Sequence, residues 1–154
     1  MAAGPVDPTD DVRISADPAD FDLDWIHSAL SERSYWAHGR GRSVVERSIA
    51  NSLGFAALLD GRQVGFARVV TDQATFAWIS DVFVDESVRG RGVGKRLISA
   101  ILADPRLQGL KRMMLATDDA HGLYARYGFE PLEDPDTLMA RPLRPAERPG
   151  PSER

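Results

Sequence analysis

The sequence contains no cysteine. This absence excludes disulfide bonds, thiolate metal sites and an acyl-enzyme intermediate on a cysteine side chain. Histidines are few, and His27, His38 and His121 lack the spacing of metal ligands, so we predict no metal site.

Long apolar runs are absent as well. No stretch reaches the ~20 residues of a transmembrane helix, and the acidic first residues lack the apolar segment of a signal peptide. Negative charge is in excess, with 19 Lys and Arg against 23 Asp and Glu, which argues against binding nucleic acid through its phosphates. We therefore expect a cytoplasmic protein whose partners include neither membranes nor nucleic acids.

The chain carries enough apolar residues for one hydrophobic core. Hydrophobic residues make up 43% of its 154 residues, which is typical of a single domain. We expect this domain to occupy residues 12–143. Residues 1–11 are expected to form a flexible leader, and residues 144–154, rich in Pro, Arg and Glu, a flexible tail.

The hydrophobic periodicity changes repeatedly along the domain and predicts an α+β fold. The predicted order is β-α-α-β-β-β-α-β-α-β-β, which favours a mostly antiparallel central sheet flanked by helices. Asp60-Gly61 is a hairpin signal between two of the strands. The predicted strands are 12–16, 54–59, 64–70, 75–84, 112–116, 129–131 and 137–142, and the predicted helices are 23–30, 43–51, 92–103 and 120–127.

A glycine-rich segment follows an apolar strand and opens an amphipathic helix. Its glycines remove side chains where backbone N–H groups face a ligand, and the helix start adds unpaired N–H donors and a positive dipole end. Basic side chains add charge to this segment of an otherwise acidic protein. These features favour a phosphate or pyrophosphate. The residues concerned are Arg89, Gly90, Arg91, Gly92, Val93, Gly94 and Lys95.

Two familiar phosphate motifs do not fit this segment. A P-loop requires Ser or Thr after Gly-Lys, whereas Arg96 follows Gly94-Lys95. A Rossmann fingerprint requires G-x-G-x-x-G, whereas the spacing here is G-x-G-x-G. The remaining alternative is an ordinary glycine-rich connection between a strand and a helix.

Two motifs resemble those of the GNAT superfamily of N-acetyltransferases. Arg89-x-x-Gly92-x-Gly94 resembles the family's acetyl-CoA loop, [RQ]-x-x-G-x-[GA]. Further along, residues 120–129 resemble its later A-x-x-x-Y-x-x-x-G-F element. The order and separation of the two motifs fit the family, and the resemblance covers roughly residues 12–142.

The resemblance implies acetyl-CoA as co-substrate. In the family, the pyrophosphate lies on the amides of the glycine loop, here Arg89 to Lys95. The pantetheine arm lies where the fourth and fifth strands separate, held by backbone N–H groups near Phe83 and Val84, which act as oxyanion-type donors to the thioester carbonyl. Many relatives carry Asn at the position of Asp119, which we include among the cofactor-binding candidates.

Tyr124 occupies the family's tyrosine position, which implies a catalytic acid. A phenol there donates its proton to the departing thiolate. Because the chain has no cysteine, direct attack of the amine within a ternary complex is the simplest scheme. The alternative is that Tyr124 is a packing aromatic, a role that Tyr127 fits better.

Asp81 interrupts an otherwise apolar predicted strand. Burying a carboxylate is costly unless it is paired or used, so Asp81 is a second catalytic candidate. It would take the proton of the amine through water or anchor a cationic substrate. The alternative is a structural ion pair with Arg68 on the adjoining strand, which we also include among the candidate substrate-site residues.

Tyr35 and Trp36 lie between the first two helices, where the resemblance implies the acceptor pocket. Two adjacent aromatics do not share one helical face, and stacking or cation–π contact would hold an acceptor there. Alternatively, they fix a loop. We expect the acceptor to be a small-molecule amine. The alternatives are a protein N-terminus or lysine, or a silent acyl-CoA-binding regulatory module; a homodimer is compatible with each.

Overall fold

A computed structural model describes residues 11–143 of the chain. Apart from Asp11, the predicted leader and tail lie outside these residues. The described part forms one five-stranded sheet in the order β1-β2-β3-β4-β5. Its strands are β1 (Val12–Ser15), β2 (Leu53–Leu59), β3 (Arg62–Thr71), β4 (Phe76–Val84) and β5 (Arg112–Met114), and its α-helices are α1 (Leu23–Ser28), α2 (Arg42–Ala50), α3 (Val93–Ala103) and α4 (His121–Ala125).

The pairing of the strands confirms the predicted α+β fold with a mostly antiparallel sheet. Neighbouring strands from β1 to β4 pair antiparallel, and only β4 and β5 pair parallel. Asp60 and Gly61 form the predicted hairpin turn with φ angles of 52° and 75°, because a two-residue turn of this twist needs left-handed backbone. No helix within residues 11–143 has the length and apolar character needed to cross a bilayer.

Helices cover both faces of the sheet. Successive residues of β3 point to opposite faces, so Phe66 packs with the core under α1 and α2, while Ala67 belongs to the core under α3. Buried Leu97 and Ile101 of α3 fill the core under that helix. The core under α1 and α2 extends past α1 through the π-helical turn Ala29–Arg33.

The strands predicted at 129–131 and 137–142 are not formed, which corrects that part of the predicted order. Residues 129–143 contain no strand and only the 3₁₀ turn Pro135–Thr137. Three prolines in this stretch remove ladder donors. Its apolar side chains also find no core, since Leu138 is 53% and Met139 97% exposed.

A β-bulge interrupts the pairing of β3 with β4. Between Phe66 and Arg68 the register slips, and Asp81 and Val82 together oppose the single intervening residue of β3. Asp81 has a φ of 54°, in the left-handed region that an aspartate rarely adopts within a strand. The bulge shifts the alternation of side chains, so Ile79 packs into the core under α3 while Asp81 faces the loop between α1 and α2.

The tight contact at Gly54 generates a prediction about stability. A Cβ there would lie 2.5 Å from the Phe21 ring, which itself packs edge-on against Phe66. We expect Gly54→Ala to cost about 1–3 kcal/mol of unfolding free energy because the ring has to move. Gly122→Ala is the control, since a methyl group on that residue would meet nothing within 4 Å. Equal melting temperatures for the two variants would contradict the prediction.

Candidate active site

A cleft opens where β4 and β5 separate. The two strands pair only over Phe76–Trp78 and Arg112–Met114, and beyond this short ladder they diverge. A cavity of about 360 Å³ lies between them. It is lined by β4 from Trp78 to Val82, by residues 115–120 after β5, and by three aromatic side chains, Tyr35, Trp36 and Tyr124. Five predicted site residues, these three aromatics with Asp81 and Asp119, thus line one cavity.

The glycine-rich segment follows β4 directly and leads into α3. Gly90 and Gly92 have φ angles of 81° and 82°, so both need the conformational freedom of glycine. The first helical hydrogen bond runs from the Arg96 amide to the Gly92 carbonyl, at 3.1 Å. The amides of the first turn, residues 93–95, therefore have no acceptor within the helix and point along its axis beyond Gly92. This open cradle fits a phosphate group.

Basic side chains surround this cradle. Arg89, Arg91 and Lys95 are exposed. The Arg89 Nε donates to the Val84 carbonyl at 3.0 Å, and its guanidinium lies 5.4 Å from the centre of the Phe83 ring. These contacts hold Arg89 against the end of β4, whereas Arg91 and Lys95 extend the positive charge towards solvent.

The two β4 amides predicted to bind the pantetheine arm point in opposite directions. The Asp85 amide donates to the Val64 carbonyl of β3. Since hydrogen-bonded and open positions alternate along an antiparallel pair, the Phe83 amide also faces β3, and the Val84 amide faces the side where β5 has left the sheet. Val84 is therefore the better placed donor of the two.

Tyr124 lies on α4 at the far wall of the cleft. Its ring is buried and packs edge-on against Phe129, with 5.9 Å between the ring centres. Burial, followed by the charges of Asp119 and Tyr35, raises the pKa of Tyr124 to about 12. The phenol therefore keeps its proton at neutral pH, which suits a proton donor and not a base.

Tyr35 and Trp36 cap the cleft from the loop between α1 and α2. The two rings meet edge-on, 4.9 Å between centres, and both are well exposed. The Tyr35 hydroxyl accepts a long hydrogen bond of 3.4 Å from the Asp118 amide across the cleft. The Trp36 Nε1 donates to Asp81 Oδ1 at 3.0 Å. The aromatic pair thus bridges the two separated strands.

Asp81 is held by three donors. Besides the Trp36 indole, both Arg40 and Arg68 donate to its Oδ2, at 2.7 and 3.0 Å. The Asp81 side chain is fully buried, so the two guanidinium groups provide the compensation that its charge requires. The ion pair with Arg68 that the sequence offered as an alternative is present, extended by hydrogen bonds from Arg68 to Ser52 and Ser80.

Sequence reasoning missed Arg40 and Arg33. Arg40 stands in a run of surface-type residues, and nothing in its spacing distinguishes it from the neighbouring arginines. Arg33 lies over the Phe83 ring at 5.2 Å and pairs with Asp85 at 3.2 Å. Hydrogen bonds from the Ser87 hydroxyl and amide, with Arg33 adding to them, lower the pKa of Asp85 to about 2, which keeps this carboxylate ionised at the entrance to the glycine loop.

Comparison with known proteins places this geometry among acetyltransferases. The sequence profile of the acetyltransferase (GNAT) family matches residues 22–129. A crystal structure described as a GNAT-family acetyltransferase from Xanthomonas campestris pv. campestris superimposes with a TM-score of 0.83 at 51% identity, covering 86% of this chain and 93% of that one.

Two further similarities concern the co-substrate and the acceptor. A GNAT-family acetyltransferase from Elizabethkingia anophelis, whose structure contains acetyl-CoA, shares the fold with a TM-score of 0.60 at 16% identity, covering 79% of this chain and 77% of that one. The L-methionine sulfoximine/L-methionine sulfone acetyltransferase of Pseudomonas paraeruginosa is 29% identical over 110 residues, which are 66% of this chain and 60% of that protein.

The backbone of the glycine loop generates the second prediction. Gly92→Val places a β-branched residue at a φ of 82°, so we expect a lower melting temperature and an acetyl-CoA affinity weakened about tenfold or more. Gly94→Ala is the matched control, because a methyl group there meets Leu123 and Val84 only at 3.7 and 3.8 Å. Thermal denaturation and calorimetric titration measure both effects. Undiminished affinity in folded Gly92→Val would remove the loop from the site.

Proposed function

Because the chain belongs to the GNAT family of acetyltransferases, we propose that it transfers the acetyl group of acetyl-CoA to the amine of a small molecule, by direct attack within a ternary complex. One observation carries this proposal: the Tyr124 phenol and the open edge of β4 line one cleft, and β4 leads directly into the glycine-rich segment before α3.

The donor side of the cleft suits an acyl-CoA. The first-turn amides of α3 and the exposed Arg89, Arg91 and Lys95 would hold the pyrophosphate. The Val84 amide would donate a hydrogen bond to a carbonyl of the pantetheine arm or to the thioester carbonyl, in the place that β5 has left. Asp119, on the opposite wall, lines the path between them. When bound, acetyl-CoA supplies the activated acetyl group.

Tyr124 completes the chemistry as a general acid. The amine nitrogen forms a bond to the acetyl carbon while the carbon–sulfur bond breaks, and the phenol gives its proton to the departing sulfur. The phenol is protonated at neutral pH, as an unperturbed tyrosine also is, so its proton is available for transfer. An ammonium group first loses one proton to solvent to expose its lone pair, and the nitrogen loses a second proton to solvent as the amide forms. Tyr124 then regains a proton from water.

Asp81 acts as a positioning residue in this scheme. Both of its carboxylate oxygens accept hydrogen bonds from fixed donors, one from Trp36 and two from arginines. A carboxylate so occupied is poorly suited to collect a proton from a moving substrate. It instead fixes the Trp36 ring, which would form the wall against which the acceptor lies.

A small acceptor is favoured over a peptide or a regulatory role without catalysis. The Tyr35–Trp36 pair caps a cleft of about 360 Å³ that also has to receive the acetyl end of the co-substrate, so the remaining space suits a small acceptor. The similar Pseudomonas enzyme acts on amino-acid derivatives by its name, which supports an acceptor of this size. A buried, protonated Tyr124 argues for catalysis over simple acyl-CoA binding.

The third prediction tests the role of Tyr124 as the general acid. We expect Tyr124→Phe to lower kcat by ~10²–10⁴-fold while the acetyl-CoA dissociation constant stays nearly unchanged, because only the proton donor is removed. Tyr127→Phe serves as the matched control, since its hydroxyl donates to the Lys95 carbonyl outside the cleft. Steady-state kinetics with a panel of amines measures kcat. A Tyr124→Phe enzyme as fast as Tyr127→Phe would leave Tyr124 with a packing role.

A further inference from the structure

A second cavity adjoins the cleft on the other side of Trp36. It has a volume of about 640 Å³ and is lined by residues 36–41, by the first turns of α2 and by Arg68 of β3. Trp36 lines both cavities, so the two spaces meet at this residue. Neither the family motifs nor the proposed chemistry uses this second cavity.

The two cavities have opposite charge. Among the described residues, the second cavity is lined by Arg40 and Arg68 and by no carboxylate. The cleft is lined by Asp81, Asp118 and Asp119 and by no basic side chain of residues 11–143. Because Arg40 and Arg68 compensate the charge of Asp81, Asp118 and Asp119 make the cleft acidic beside the acetyl-transfer site, whereas the cavity beyond Trp36 is basic.

The basic end keeps an excess of positive charge after its internal pairing. Arg40 and Arg68 both bind the same oxygen of the Asp81 carboxylate. Two positive charges therefore face one negative charge, which leaves a net charge of one positive unit. The two arginine side chains are only 23% and 13% exposed, which weakens screening by solvent.

Donors also remain available on one of the two guanidinium groups. Arg68 uses further N–H groups on the Ser52 and Ser80 hydroxyls. Within residues 11–143, the Arg40 side chain makes one hydrogen bond, to Asp81. Since a guanidinium carries five N–H donors, Arg40 presents several unused donors at the wall of this cavity.

We propose that the second cavity binds the carboxylate of the acceptor, so that the acetylated compound is a small amino-carboxylate, a zwitterion whose amine reaches past Trp36 into the acidic cleft. This inference rests on the proposed function and names its substrate class. The one surplus positive charge of the cavity would be neutralised by one carboxylate, and a planar guanidinium binds a carboxylate through two parallel hydrogen bonds. A doubly charged phosphate would leave one negative charge without a partner.

Pairs of acceptors that differ only in the charge of the carboxyl group test the proposal. The wild-type enzyme is assayed with acetyl-CoA against each common L-amino acid and against the matching carboxamide, which keeps the amine and removes the negative charge. We expect kcat/KM to favour the acid of the preferred pair by about tenfold or more. In Arg40→Met, we expect the value for the acid to fall ~10–100-fold more than the value for the carboxamide, because losing the Asp81 partner affects both acceptors while losing the carboxylate contact affects only the acid.

Three controls make the comparison specific. The carboxamide value in Arg40→Met measures the general effect of losing the Asp81 ion pair, so the ratio of acid to carboxamide isolates the contact with the carboxylate. Arg40→Lys keeps the charge without the planar fork, so we expect its loss to be smaller. Arg47→Met removes the same charge from the exposed face of α2, outside the cavity, and we expect both acceptors to react as with wild type.

The outcomes separate this inference from the proposed function. Equal use of acid and carboxamide by the wild type, or an equal loss for both in Arg40→Met, would overturn the carboxylate site while leaving an acetyltransferase. Acetylation confined to spermidine or peptides would do the same. If no amine is acetylated, the proposed function fails, and calorimetric titration with the amino acids decides alone: binding lost in Arg40→Met supports the site, and equal binding overturns it.

Discussion

The buried Asp81 carboxylate, shared between Arg40 and Arg68, is the interaction on which the rest of the site depends. A fully buried charge is stable only with partners, and removing one member of such a pair typically costs ~3–5 kcal/mol. The backbone contributes strain as well, since a non-glycine residue at a φ of 54° costs ~1–3 kcal/mol. The three hydrogen bonds to Asp81 offset this strain and thereby fix the bulge in β4.

The bulge orders both sides of the site. On one side, it directs Asp81 towards the loop between α1 and α2, where the carboxylate holds Trp36 and Arg40 in place. On the other, β4 bends away from β5 after a three-residue ladder, which opens the cleft and turns the Val84 amide towards it. One irregularity in one strand therefore relates the acyl-CoA side, the acceptor side and the basic cavity beyond Trp36.

The sequence predicted the secondary structure correctly where a local pattern of residues determines it. The strands β2 to β4, the Asp60-Gly61 turn and the glycine loop before α3 follow from neighbouring residues, and the structure contains each of them. The strands expected after residue 128 do not form, because strand-like composition says nothing about whether a core is available to cover it. Arg40 went unnoticed for a related reason: its importance arises from a contact with Asp81, 41 positions away, which no local pattern encodes.

The most direct measurement is the behaviour of Asp81→Asn in thermal denaturation and in steady-state kinetics with both substrates. If Asp81 positions the acceptor wall, the melting temperature falls, the acceptor KM rises more than kcat falls, and the acetyl-CoA KM stays near its wild-type value. Arg68→Met in the same chain then restores part of the lost stability, because it removes a guanidinium left without its carboxylate. An unchanged melting temperature with normal acceptor KM, or an equal rise in both KM values, would contradict this account.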